Sequence, residues 1–510
     1  MIVMELKAKI LEVDSGDCSI VLHTDDAAEL GVKSLDRVRV RDGKDSFIAL
    51  VQTTEISLLK GSVALYERCW RPYDIRDNDT MTITATTRPA SIEIIRRKMD
   101  GLELSGEEIR ELVRDISERQ LSDIELASYI TAMYIRGMNI RETADLTRSM
   151  AEFGDMVDFD RPVFDFHSIG GLPGNKITLL VVPIVAAAGL LIPKTSSRAI
   201  SSACGTADIV ELFMNVSFSA AALRSIAEKT NGTIAWGGGF SMAPADDIII
   251  KAEYPLSIDP DSQMIASIMS KKLAMGVDFL VIDIPVGPET KVHSPEDAKK
   301  LARQFVELGE RVGIHVKCAI TYGDQPLGYS IGPAVESIEA IRILEGYDHP
   351  ISVIDKACSV SGMLLEMNGI ADGEQKAREI LASGAALAKF REIVEAQGGI
   401  KDISSDKLSP GKYSHEIRAD KNGYLTYIKN KALVRIVRAA GSPNDKGAGV
   451  ILNIKAGHPV KKGDVLFTIY ADSEVKLRDA VDLTVKLAPM KIESIIIGLI
   501  PEETHIGKGL

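Results

Sequence analysis

The apolar residues of this chain keep three different spacings in turn, and no single-layer fold accommodates all three. Up to about residue 87 they alternate in short runs. MELKAKILEV, CSIVLHT, DRVRVRDG, SFIALVQTT and TMTITATT are rich in β-branched residues and separated by Asp, Gly or Ser. Such runs make half-buried strands, and a small barrel is expected. The texture changes at Pro89. From there to about Gly154 the spacing is helical, with Ile109, Leu112, Val113 and Ile116 at i, i+3, i+4 and i+7. Ser105 with Glu108, and Ser122 with Glu125, stand at capping-box spacing, which satisfies orphan N–H groups at helix starts. From about Val163 to Gly399 strands alternate with helices. FLVIDIPVG and HVKCAITYG are near-continuous apolar runs, as in parallel strands buried on both faces. The tail from about Ser409 is β-rich again, and IRADKNGYLTYI carries an Asn422-Gly423 turn.

The expected fold is therefore multidomain α/β, since 510 residues exceed what one core normally organises. Residues 1–87 form a small N-terminal β-barrel with an assembly role. Residues 88–160 form a helical domain, with a later helical contribution near 255–275. Residues 161–408 form a central, mainly parallel α/β domain, and residues 409–510 a C-terminal β-rich α+β domain.

Charge and composition narrow the partners. A net charge of -12 disfavours a nucleic-acid backbone, and 5% aromatic residues disfavour a base-stacking channel. The five cysteines are scattered and form no CxxC pair, so free thiols in a reducing cytoplasm are expected. No HExxH or His/Cys cluster is present, and neither a metal nor another cofactor is expected. The N-terminus has no signal pattern. The longest apolar run, Ile177 to Ile192, is broken by Pro183 and Gly189 and is too short to span a membrane.

Two segments carry chemistry. In Asp165-Phe166-His167-Ser168-Ile169-Gly170-Gly171-Leu172-Pro173-Gly174-Asn175-Lys176, three glycines follow a short strand and precede a helix-like run. Backbone N–H groups in such a loop converge on a phosphate, or the glycines simply make a tight turn. In Pro193-Lys194-Thr195-Ser196-Ser197-Arg198-Ala199-Ile200-Ser201-Ser202-Ala203-Cys204-Gly205-Thr206-Ala207-Asp208, hydroxyls crowd around one arginine. Hydroxyls with a guanidinium suit an oxyanion; a solvated serine-rich loop is the alternative.

With these two segments the chain resembles the pyrimidine-nucleoside and thymidine phosphorylase family. Within it, the resemblance is closest to the archaeal branch that acts on nucleoside 5′-monophosphates such as AMP. Bacterial members carry KHSTGGxGD, SGRxxxHTGGTxDK, APAD and an SIxxKK helix. This chain has HSIGGLPGN, SSRAISSACGTAD, Ala243-Pro244-Ala245-Asp246 and Ser267-Ile268-Met269-Ser270-Lys271-Lys272, in the same order. The resemblance covers about residues 88–485.

It implies that Ser168, Ser196 and Thr206 hold phosphate. Gly171, the run Ser197, Arg198, Ala199, Ile200, Ser201 and Ser202, together with Thr206 and Lys291, contact the nucleotide. Ser267 and Lys271 contact the base. Asp259 matches the proposed proton donor; read alone, it is also a natural N-cap before Pro260. His167 matches the histidine of the glycine motif, and a buried structural imidazole is its other reading. Lys271 and Lys272 also read as a solvated helix face. Two positions depart from the bacterial pattern: Phe166 stands where a phosphate-binding lysine is found, and Ala252 and Glu253 fall where an arginine reads a pyrimidine carbonyl.

The implied reaction is AMP plus phosphate giving adenine and ribose 1,5-bisphosphate, with CMP and UMP as further substrates. Arg198 and Lys291 would balance the anionic charge of the nucleotide. The implied assembly is a homodimer or larger homo-oligomer. Phosphorolysis of uridine or thymidine is the first alternative. A phosphoribosyltransferase of the anthranilate type is the second, and would need a paired acidic metal site. A nucleotide-binding assembly protein is the non-enzymatic alternative.

Overall fold

The computed structural model describes every residue except 1, 87, 200–201, 257, 259 and 495–510. The chain forms two compact units, one of residues 1–153 with 243–267, the other of residues 154–242 with 268–510.

The first unit opens with a closed six-stranded barrel. Its strands are β1 (Val3–Ile10), β2 (Ser19–His23), β3 (Arg37–Arg41), β4 (Ser46–Thr54), β5 (Ser62–Leu65) and β6 (Thr80–Ala85). Around the barrel they run β1-β5-β2-β4-β3-β6. Alternate residues such as Ile20, Leu22, Val38, Val40, Met81 and Ile83 fill the interior. Closure leaves no open sheet edge. The sequence pattern did not separate β5, nor the short helix Thr24–Leu30. It also treated all five cysteines as free, and the structure corrects this. Cys18 at the entry to β2 and Cys69 on the helix Glu67–Trp70 form a disulfide, with Cα atoms 5.1 Å apart. Fifty-one residues separate them in sequence, so spacing gave no hint. Cys204, Cys318 and Cys358 are free.

The same unit contains the helices Ser91–Met99, Gly106–Ser117, Asp123–Arg136, Ile140–Glu152 and Pro244–Leu256. Both expected capping boxes form, and Asn139 with Glu142 makes a third. Glu142 is also the buried partner of Lys98, at 2.9 Å, and accepts the Leu104 N–H. Arg37 of β3 ties the barrel to these helices by bonding the Gln120 carbonyl and the Glu125 carboxylate.

The second unit is built on five parallel strands: β7 (Phe164–Ser168), β8 (Ile192–Ser196), β9 (Gly232–Trp236), β10 (Phe279–Val286) and β11 (His315–Tyr322). β11, β10 and β7 pair in that order, and β8 pairs with β9. A parallel bridge between Val163 and Leu191 continues the row from β7 to β8. The spatial order is thus β11-β10-β7-β8-β9. The chain moves outward from β7 to one side, then returns to β10 and moves outward on the other. In such a sheet the crevice beyond the carboxyl ends of the two central strands is the natural ligand position. Behind the sheet lies the helix Thr178–Ala187, apolar after Thr178 and buried from Thr178 to Ala186. β10 is buried along almost its whole length, as expected. β11 is not, because it is the edge strand of its sheet: His315, Lys317, Ile320 and Tyr322 are exposed and only Ala319 is buried.

The C-terminal part of this unit carries two antiparallel sheets and the helices Asn430–Ala439 and Glu474–Leu487. Asn422-Gly423 links Tyr413–Arg418 to Gly423–Ile428, which belong to different sheets, so the turn closes no hairpin. Among the described residues no helix is long and apolar enough to cross a membrane.

Candidate active site

The glycine segment leaves the carboxyl end of β7 at the point where strand order reverses. Gly170, Gly171 and Gly174 have φ of +91°, +85° and +73°, a region that L side chains rarely adopt. Gly171 has a second constraint. A Cβ there would lie 2.8 Å from the Lys291 backbone nitrogen and 3.1 Å from the Thr290 Cα. The loop after β7 and the loop after β10 therefore touch, backbone to backbone, across the switch point. The β10 loop is fixed by Thr290, whose hydroxyl bonds the Gly287 and Val292 carbonyls at 3.0 and 2.7 Å. Gly171 and Lys291, 120 positions apart, are thus neighbours.

Ser168 is tied into a buried polar chain. Its hydroxyl accepts from the Asn175 amide at 3.1 Å, and the same amide reaches Asp283 at 3.3 Å. Asp283 is fully buried and is held by Lys356 at 2.8 Å and Thr321 at 2.6 Å. Asn175 joins the site only through this geometry; as one Asn after a glycine loop it gave no sequence signal.

The second segment folds upon itself. Asp208 accepts the backbone N–H groups of Ala199 and Gly205 at 2.8 and 2.9 Å. A Cβ on Gly205 would strike the Ser197 carbonyl oxygen, so only glycine closes this loop. Ser196, at the end of β8, bonds the Ala235 carbonyl at 3.3 Å, and Ser202 bonds the Cys204 carbonyl at 2.8 Å.

Arg198 is paired with carboxylates. Its guanidinium is forked on Glu211 at 2.6 and 2.8 Å, contacts Asp208 at 3.3 Å, and lies over the Trp236 ring. The Glu211 hydrogen bond pulls the Glu211 carboxyl down to about 2 and pushes the Arg198 guanidinium up. Glu211 also meets Lys446 at 3.0 Å, so Arg198 belongs to a network of two cations and two carboxylates with Asp208. Ile200 and Ser201 lie outside the described residues.

The two segments meet through hydroxyls. Thr206 Oγ1 lies 3.5 Å from Thr178 Oγ1, the first residue of the buried helix that follows the glycine loop. Thr178 was not singled out from sequence; its place at the start of an apolar helix after a glycine loop was the available signal.

Around β7 the electrostatics are unusual. Asp165 is buried and contacts Lys272 at 2.6 Å and Lys194 of β8 at 3.4 Å. Lys272, expected as a candidate for a solvated helix face, is instead fully buried. Burial, reinforced by Lys272, Lys194, Lys271 and Lys291, holds the His167 imidazole well below its usual range. His167 is therefore neutral near pH 7. Ser267 belongs to the first unit, where its hydroxyl bonds Asp246 at 2.8 Å. Asp259 lies outside the described residues. No group of three or more His, Cys, Asp or Glu among the described residues is arranged to hold a metal ion.

Comparisons with known proteins agree with this layout. Residues 92–154 match the helical bundle domain of a glycosyl transferase family, and residues 160–248 its a/b domain. Residues 424–490 match the pyrimidine nucleoside phosphorylase C-terminal domain. An AMP phosphorylase of Methanococcoides burtonii is 47% identical over 498 residues, covering 97% of this chain and 98% of that protein. The chain belongs to the AMP phosphorylase family. A Thermococcus kodakarensis AMP phosphorylase is 46% identical over 97% of this chain and 99% of its own length. Similarity to AMP phosphorylases thus runs through the N-terminal barrel as well as the glycosyl transferase domains. The crystal structure of an anthranilate phosphoribosyltransferase from Thermus thermophilus shares the fold, with a TM-score of 0.51 and 21% identity. It covers 60% of this chain and 99% of that one.

Proposed function

We propose that the chain cleaves the N-glycosidic bond of AMP with inorganic phosphate, giving adenine and ribose 1,5-bisphosphate, and that CMP and UMP are further substrates. The contact of Gly171 with Lys291 at the sheet's switch point carries this reading. It puts oriented backbone N–H groups and a lysine-bearing loop beside Ser168, where an open α/β sheet takes its ligand. Family membership supplies the reaction class.

In the proposed mechanism phosphate is held by Ser168, Ser196 and Thr206, with Thr178 behind Thr206. One phosphate oxygen attacks C1′ while the C1′–N bond breaks, and the transition state is oxocarbenium-like. The bonding pair leaves with the base, which takes a proton at N7 from Asp259. Ser267 and Lys271 orient the base. Gly171, the 197–202 loop, Thr206 and Lys291 hold the nucleotide, with Arg198 serving through its backbone and its loop-closing ion pair. Fixing nucleophile and sugar in line lowers the barrier by avoiding the entropy of their encounter. The four-domain reading, the homo-oligomer, the assembly role of the barrel and a cytoplasmic location belong to the same proposal.

The test is incubation of the full chain with AMP, CMP, UMP, uridine or thymidine plus phosphate, with free base read by chromatography. Adenine from AMP, dependent on phosphate, is expected. Uracil from uridine with no adenine from AMP would overturn the nucleotide assignment.

A further inference from the structure

Beneath the ends of β7 and β8 lies a group of charges that does not balance. Asp165 is 1% exposed and is the carboxylate in contact with two ammonium groups, Lys272 on one oxygen and Lys194 on the other. Both lysines are buried as well, at 2% and 4% exposure. Among the described residues the other buried lysines each contact one carboxylate: Lys98 meets Glu142, Lys176 meets Glu339 and Lys356 meets Asp283. An uncompensated buried charge is costly, so an excess cation held in place calls for an anion.

The position says which anion. Lys194 is two residues before Ser196 on β8, so the two share a face of the strand. Its ammonium bonds the Thr195 carbonyl at 2.8 Å, the peptide that leads into Ser196. It also lies over the Phe166 ring, two residues before Ser168. The excess charge thus sits just behind the hydroxyls at both strand ends.

We propose that Lys194 is a positioning residue for the phosphate oxyanion: with Lys272 it shares Asp165, and the bound anion completes the charge balance of this buried cluster.

The charged and titratable groups facing Lys194 are Asp165 and His167 of β7 and Lys272 of the helix Asp261–Ala274; His167 in turn faces Lys271 of that helix and Lys291 of the β10 loop. Burial, with Lys272 beside it, brings the Lys194 ammonium down to about 7 despite Asp165. In the free protein Lys194 is therefore partly neutral near pH 7, and an arriving anion favours its protonated form. The sign follows: anion binding takes up a proton and weakens as pH rises through neutrality.

This inference rests on the phosphate site proposed above, and its test does not need turnover. Sulfate stays a dianion across the neutral range, so a pH effect on its binding comes from the protein. The thermal midpoint of the full chain is followed with and without sulfate at several pH values. Parent protein should gain stability from sulfate, and the gain should shrink as pH rises past 7. In Lys194→Met the sulfate shift should be lost and the KM for phosphate should rise roughly tenfold or more, with the KM for AMP little changed. Lys194→Arg should restore part of the phosphate affinity.

A sulfate gain independent of pH in the parent protein would overturn the proposal even if the variants failed to fold. So would a Lys194→Met protein that keeps the parent's phosphate KM. Failure of the parent to cleave AMP would instead sink the nucleotide reading and leave the sulfate measurement to decide for or against the anion site.

Discussion

Two buried lysine clusters, one in each unit, behave differently. In the helical bundle Lys98 has one carboxylate, Glu142, which also caps the helix Ile140–Glu152 and accepts the Leu104 N–H. That charge pair is closed within the bundle. In the α/β unit Asp165 serves two lysines, and His167 beside them is held neutral. A saturated buried pair fixes architecture, whereas an unsaturated one leaves charge for something not yet bound. The contrast separates substitutions that cost stability from those that cost activity.

The largest effect should come from breaking the saturated pair. Glu142→Ala strands the Lys98 ammonium and removes a capping box, and should destabilise the bundle by about 3–5 kcal/mol in denaturant unfolding. A loss below about 1 kcal/mol would show that Lys98 reaches water and that the contrast is false.

Gly171→Ala should do the reverse. It forces a Cβ against Lys291 at positive φ, parting the two loops at the switch point. A fall in kcat/KM for AMP of roughly a hundredfold is expected, with only a small change in thermal midpoint. Activity within a few-fold of the parent would mean that the loop contact does not shape the site.

Glu211→Gln sharpens the comparison inside the α/β unit, because Arg198–Glu211 is a half-exposed pair that anchors the proposed nucleotide loop. The folded Glu211 carboxyl lies near 2 against an ordinary 4.5, so the pair stabilises above the ordinary value and loses this as pH falls toward 2. The variant should melt slightly below the parent at neutral pH, and the gap should narrow between pH 4.5 and 2. Its KM for AMP should rise several-fold. A gap constant with pH would remove the ion pair as its cause.

Ser122→Ala, which deletes one capping box of the bundle, should be the mildest, costing about 1 kcal/mol of stability and leaving AMP kinetics unchanged.

Local patterns were legible where local physics rules. The capping boxes at Ser105 and Ser122 needed only four residues each, and both formed. The alternating runs of the barrel and the near-continuous run of β10 became strands because burial on one or two faces sets their pattern directly. β11 was misjudged because its composition matches β10, and only its place at the sheet edge exposes it. The same limit hid the Cys18–Cys69 disulfide, the buried state of Lys272, and the Asn175 and Thr178 contacts. Each depends on a partner between 7 and 108 residues away, and no local pattern encodes that.

The sequence by itself determined the element types, the two donor-rich loops and, through four ordered motifs, the family. The family rests on resemblance of those motifs; the elements and loops rest on periodicity, capping chemistry and glycine's backbone freedom, all of which act over a few residues. Only the tertiary structure decided that Gly171 meets Lys291, that Arg198 is bound by Glu211, and that one carboxylate lies between two buried lysines. Strand order made those neighbours, because a parallel sheet joins residues through crossovers that local sequence does not specify.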